Sequence, residues 1–131
     1  MIDKNNDLYY IVAGDAMQKL MCSKFPDRHT IPFREDFSKG KHIGFSFDAE
    51  SVSQRALIWN VSENEYIEKL SPIISLDITK RYVLCFGEDD CCKANLAFML
   101  GYLKSKGYCQ SIKVQILDEY NLNLQKEYFV D

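Results

Sequence analysis

The sequence predicts a single α/β domain: a three-layer sandwich around a mainly parallel sheet of four to five strands. Three observations predict it. Short, wholly apolar runs alternate with segments whose apolar residues recur every three or four positions, as strands alternating with helices would. Two of the apolar runs stop at a glycine followed by an acid, Gly14-Asp15 and Gly87-Glu88, which reads as a strand-to-helix turn. Finally, 131 residues with 47% hydrophobic and 27% charged side chains make one domain with a real core and exclude a disordered or low-complexity chain.

Leu8-Tyr9-Tyr10-Ile11-Val12 is apolar enough for a strand covered on both faces. Met17, Leu20, Met21 and Lys24 then fall at helical spacing, and Phe25-Pro26 ends that helix, because a residue before proline is pushed out of the α region. Thr30-Ile31-Pro32-Phe33 reads as a short strand. Its proline cannot donate to a ladder, which places the strand at an edge or the proline near its end. Residues 34–44 are polar and hold two glycines, so they are expected to cross the surface as a loop. Residues 40–46 are the one candidate hinge.

Asp48 or Ser51 is expected to cap a helix with Val52, Ala56 and Trp59 on one face. Ser62-Glu63-Asn64-Glu65 has the form of a capping box. It opens a short helix with Tyr66, Ile67 and Leu70 on one face, ending before Pro72. Residues 73–78 are ambiguous between a helical turn and extended chain. Tyr82-Val83-Leu84-Cys85-Phe86 is the clearest strand. The clearest helix follows, with Cys92, Leu96, Met99, Leu100 and Leu103 on one face, acids at its start, and Lys104, Lys106 and Gly107 at its end, as the helix dipole and a glycine C-cap favour. Residues 111–117 alternate in polarity like a strand with one wetter face. The tail, with Leu122, Leu124, Tyr128, Phe129 and Val130, either adds a final strand or pairs with another chain. This order is Rossmann-like or flavodoxin-like.

The net charge of −3 argues against a general nucleic-acid binder, and no apolar run is long enough to cross a bilayer. The polar N-terminus lacks the layout of a signal peptide. Five cysteines without a C-x-x-C pair read as reduced thiols, so the expected location is cytoplasmic.

In parallel sheets ligands bind beyond the carboxyl ends of the strands, near a switch in strand order. The expected binding residues are therefore Gly14, Asp15, Arg34, Asp36, Arg55, Gly87, Glu88 and Asp90. Asp15, Asp36, Glu88 and Asp90 offer the hard oxygens that a divalent cation and a phosphate substrate would need. The competing reading is that Asp15 and Asp89 or Asp90 cap helices and the others are solvated. Gly14 and Gly87 suit phosphate-binding turns, or simply turns that need positive φ. Arg34 and Arg55 have the fork that grips a carboxylate or phosphate; Arg55 has Glu50, Asp48 or a nearby loop acid as alternative partners. Trp59 is expected in the core or as a cleft wall. Cys91, in a helical first turn, is a candidate thiol nucleophile, opposed by three adjacent acids. Cys92 is expected in the core. No serine-hydrolase elbow is present, and His29 and His42 read as surface groups. No cofactor is named by these residues.

Several of these segments resemble an uncharacterised bacterial family, domain of unknown function 1835. They are Gly14-Asp15, the stretch Pro32-Phe33-Arg34-Glu35-Asp36-Phe37-Ser38-Lys39-Gly40, the pair Arg55 and Trp59, and Phe86-Gly87-Glu88-Asp89-Asp90-Cys91-Cys92-Lys93-Ala94-Asn95-Leu96. The chain departs from the family at Gln18-Lys19, Phe37 and Lys41. The resemblance implies a bacterial, cytosolic α/β domain whose three strand-end segments form one surface. It implies no activity. Two functions are compatible with the sequence. One is a small-ligand or protein-interaction module, regulatory and able to self-associate; an apolar patch at Tyr9, Tyr10, Phe45 or the tail would favour a protein partner. The other is a metal-dependent enzyme acting on a phosphate-containing or nucleotide substrate.

Overall fold

A computed structural model describes residues 8–42 and 44–131. The polar stretch 1–7 and Ile43, inside the candidate hinge, lie outside the described residues. The chain forms β1 (Leu8–Val12), α1 (Asp15–Lys24), β2 (His29–Pro32), α2 (Ala49–Trp59), α3 (Glu63–Ile74), β3 (Arg81–Phe86), α4 (Asp90–Ser105), β4 (Ile112–Leu117) and β5 (Leu124–Val130). The result is an α/β fold with a five-stranded sheet in the order β2-β1-β3-β4-β5. The first four strands are parallel and β5 is antiparallel to β4. The tail therefore completes the sheet.

The chain leaves β1 toward β2 on one side and later returns to β3 on the other. Strand order thus reverses between β1 and β3. Val12 is level with Pro32 and Cys85, and Phe86 with Ile116, so the carboxyl ends of four strands reach one edge together. The turn at residues 118–123, between β4 and the antiparallel β5, lies at that same edge. Pro32 ends the edge strand β2, where its missing N–H costs no ladder bond.

Alternate residues of β1 and β3 divide between two apolar clusters, as a period-two strand requires. Ile11, Tyr82, Leu84 and Phe86 join Ile73 of α3 and Cys92, Phe98, Met99, Tyr102 and Leu103 of α4. Val12, Val83 and Cys85 join Met17 and Met21 of α1. The helices start as their caps dictate. Asp48 accepts from the Ser51 amide, Ser62 from the Glu65 amide and Asp89 from the Cys92 amide.

The structure corrects three expectations. Helix α3 continues through Pro72 to Ile74. Proline removes the amide that would reach the Glu68 carbonyl, and the Ser71 hydroxyl donates to that oxygen instead, at 2.9 Å. The continued helix buries Tyr66, Leu70 and Ile73, and leaves Ile67 exposed. The segment after β2 does not simply cross the surface: Phe33, Glu35 and Phe37 are buried. Gly87 does not have positive φ; its lack of a side chain makes room for Glu119, whose Oε1 would lie 2.6 Å from a Cβ there.

Candidate functional site

The strand-end edge holds a cleft of about 500 Å³, within the range of small-molecule sites. Its floor is the β1–α1 turn, Ala13 to Met17. Arg34, Glu35 and Asp36 follow from β2, Trp59 from α2, Lys69 from α3, Asp89, Cys91, Cys92 and Asn95 from the start of α4, and Glu119 from the β4–β5 turn.

One wall is held from inside by a buried ion pair. Arg55 and Glu35 face each other side-on, Nη2 to Oε1 at 2.7 Å and Nε to Oε2 at 3.0 Å, with side chains only 1% and 0% exposed. Arg55 also donates to the carbonyls of Asp36, Lys39 and Lys41 at 2.8–3.0 Å. Its five N–H groups are thus all used, as burial demands. Glu35 accepts three further bonds: from the Trp59 indole N–H at 2.6 Å, the Tyr66 hydroxyl at 2.5 Å and the Asp36 amide at 2.8 Å. Burial alone would raise the Glu35 pKa. The bonds from Arg55, Tyr66 and Asp36 outweigh it and hold the carboxyl below its ordinary value. Asn95 clasps the same segment from α4, donating to the Glu35 carbonyl at 2.7 Å and accepting from the Phe37 amide at 2.9 Å.

Of the residues expected at the site, Gly14, Asp15, Arg34 and Asp36 line the cleft. Gly14 precedes α1 with φ 92° and ψ −174° and provides no side-chain cap, a conformation open essentially to glycine alone. Asp15 does not cap α1; it is paired with Arg34, Oδ1 to Nε at 2.9 Å. Arg55 stands behind the wall, and of the partners expected for it the structure selects a loop acid, Glu35, rather than Glu50 or Asp48. Gly87 lies under Glu119. Glu88 borders a smaller neighbouring depression, and Asp90 opens α4 without lining either. Asp15, Asp36, Glu88 and Asp90 do not gather as metal ligands. Among the described residues the close set is Asp89, Cys92 and Glu119, with ligand atoms within 4.8 Å of one another. The hydrogen bond between Asp89 and Glu119 lowers Asp89 and raises Glu119 relative to their ordinary values.

Sequence reasoning did not single out Glu35, Tyr66, Asn95 or Glu119. A signal for Glu35 existed: Arg55 falls within the apolar stripe Val52, Ala56, Trp59, and an arginine there needs a buried counter-charge.

Cys91, Cys92 and Cys85 are unsuited to nucleophilic work. Burial, then the hydrogen bond to Asp36, pushes Cys91 up to about 12; burial does the same to Cys92 and Cys85. A thiolate is the reactive form. Titration with a chromogenic disulfide at neutral pH should therefore show two fast thiols, the exposed Cys22 and Cys109. The other three should react only on unfolding. A third fast thiol that disappears in Cys91→Ser would overturn this.

Compared with protein-family models, with curated proteins and with solved structures, the chain matches none.

Proposed function

We propose that the protein is a small-ligand-binding, regulatory module whose site is the strand-end cleft. The observation that carries this is the position of the cleft where strand order reverses between β1 and β3, the crevice where open α/β sheets bind ligands. In this reading the fold is a three-layer, flavodoxin-like sandwich. Strand order and the division of β1 and β3 between two clusters support it. The likeness to domain of unknown function 1835 belongs to the same proposal, supported by the segments at 14–15, 32–40, 55–59 and 86–96, which all contribute to or brace the cleft. A bacterial, cytoplasmic setting fits five free cysteines, and no helix among the described residues is long and apolar enough to cross a membrane.

A second reading, metal-dependent chemistry on a phosphate-containing substrate, is favoured by Asp89, Cys92 and Glu119 alone. Thermal unfolding with magnesium, manganese and a panel of nucleotides and small organic anions separates the two. A ligand at 100 times its Kd adds about 2.7 kcal/mol, or several degrees in a chain of this length. A metal-independent shift supports the module. A shift that requires the metal and is lost in Asp89→Asn supports the enzyme. No shift, with a concentration-dependent Tm, would sink both and indicate self-association.

A further inference from the structure

We propose that the cleft takes an aromatic anion of the nucleoside monophosphate class, with its base stacked on Trp59 and its phosphate held by Arg34 and Lys69. This rests on the reading of the cleft as a binding site and names its ligand.

The argument begins at Trp59. It is the only tryptophan of the chain and is 40% exposed, yet its one polar atom is already spent inward on the buried Glu35. The indole therefore offers the cleft an aromatic face and no donor. The residue is also pinned, because Glu35 is itself held by Arg55 and Tyr66, and the Arg55 guanidinium lies 5.9 Å from the ring. A pinned aromatic face without a free donor selects a planar partner, and stacking needs no particular edge pattern.

Charge supplies the second half. Arg34 uses Nε on Asp15; its two Nη groups find no acceptor among the described residues, and the side chain is 32% exposed. Lys69 lines the same cleft, without a partner among the described residues. Arg34 follows β2, Trp59 bonds to the segment after β2, and α3, which carries Lys69, packs beside β2. The aromatic face and both cations thus belong to the β2 end. Asp89 and Glu119 come from other elements, the start of α4 and the β4–β5 turn. Asp36, at the near end, is already engaged by the Ser38 amide and hydroxyl. A guanidinium fork with two open groups suits a phosphate.

The sole tryptophan makes the test direct. Adenosine monophosphate should quench the emission of Trp59. Ribose 5-phosphate, which keeps the phosphate but lacks the base, should bind about tenfold or more weakly, the scale of one lost stacking contact, and should not quench. By calorimetry, Trp59→Phe should retain most of the affinity and Trp59→Leu should lose about tenfold. Both remove the indole donor equally, so a difference between them reports stacking and not the lost bond to Glu35. Arg34→Gln should weaken the nucleotide and leave adenosine unchanged. Equal affinity for ribose 5-phosphate and adenosine monophosphate would overturn the stacking proposal while leaving the cleft as a binding site. Binding of neither, with a non-aromatic ligand found in the thermal panel, would do the same. Binding of neither and no ligand in the panel would overturn the site as well.

Discussion

Arg55→Met should lower stability at neutral pH by about 3–5 kcal/mol, the range for breaking a buried ion pair by removing one partner. For 131 residues that is a Tm drop of roughly 11–18 °C. Methionine fills the space but leaves Glu35 buried with a charge that only the Trp59, Tyr66 and Asp36 donors oppose. It also strands three carbonyls that Arg55 now satisfies, at Asp36, Lys39 and Lys41. Arg55→Lys should fall between, because an ammonium keeps the charge but cannot meet a carboxylate side-on and span those carbonyls as well. The pH dependence identifies the cause. In the native protein Glu35 sits below its ordinary value. Its pairing therefore stabilises above the unfolded pKa, and that contribution is lost as pH falls through the native one. In Arg55→Met the main lowering contact is gone and burial dominates, so Glu35 is pushed up and takes a proton on folding. Its stability relative to the native protein should then recover as pH falls from neutrality toward the ordinary glutamate value. Denaturant unfolding of the two proteins across that window measures this. A deficit below about 1 kcal/mol, typical of exposed pairs, or one independent of pH, would show that the pair is not the brace of the wall.

The elements most legible in the sequence are those whose signal is local. Tyr82 to Phe86 is apolar throughout because β3 is flanked by β1 and β4 and covered on both faces. The start of α4 is marked by Asp89, whose side chain does what an N-cap acid does. Pro32 marks an edge or a strand end, and it stands at both, as the last residue of the edge strand β2. The site was less legible because its central pair joins residues twenty apart, on a loop and a helix. From sequence, Glu35 is one of three consecutive polar residues, indistinguishable from Arg34 and Asp36 until the chain turns it inward. Glu119 was hidden for another reason. It follows the carboxyl end of β4 by two residues, but the turn that seats it over Gly87 leads into β5, and the tail offered no sign of its direction. Pro72 misled because the signal for a helix end was local while the compensation, Ser71 back-bonding to Glu68, lay in the neighbouring side chain.

Phe98→Ala should cost a further about 3–5 kcal/mol in an otherwise native chain, the range for removing a large aromatic from a core, and its effect should reach the cleft. Phe98 is 1% exposed. It stacks on Phe37 with centroids 3.9 Å apart and lies 5.9 Å from Tyr102 and 5.3 Å from Phe47. Phe37 carries the Arg55 guanidinium over its other side, 4.7 Å from the ring centroid. A column thus runs from α4 through Phe98 and Phe37 to the ion pair that pins Trp59. Alanine removes the support under Phe37, and the segment at residues 35–41 loses its inner contact while keeping its hydrogen bonds. The variant should show a red-shifted and broadened Trp59 emission at temperatures where the fold is intact, as the indole gains freedom in the cleft. Phe98→Leu, which refills most of the volume, should recover much of the stability and the native spectrum. The residues in the column touch, so losses in the double variant Phe98→Ala, Arg55→Met should not add; an interaction of about 0.5–3 kcal/mol is expected between coupled neighbours. Additivity within about 0.5 kcal/mol, together with an unchanged Trp59 spectrum in Phe98→Ala, would mean that core and cleft wall are energetically separate. Trp59 would then owe its position to Glu35 alone.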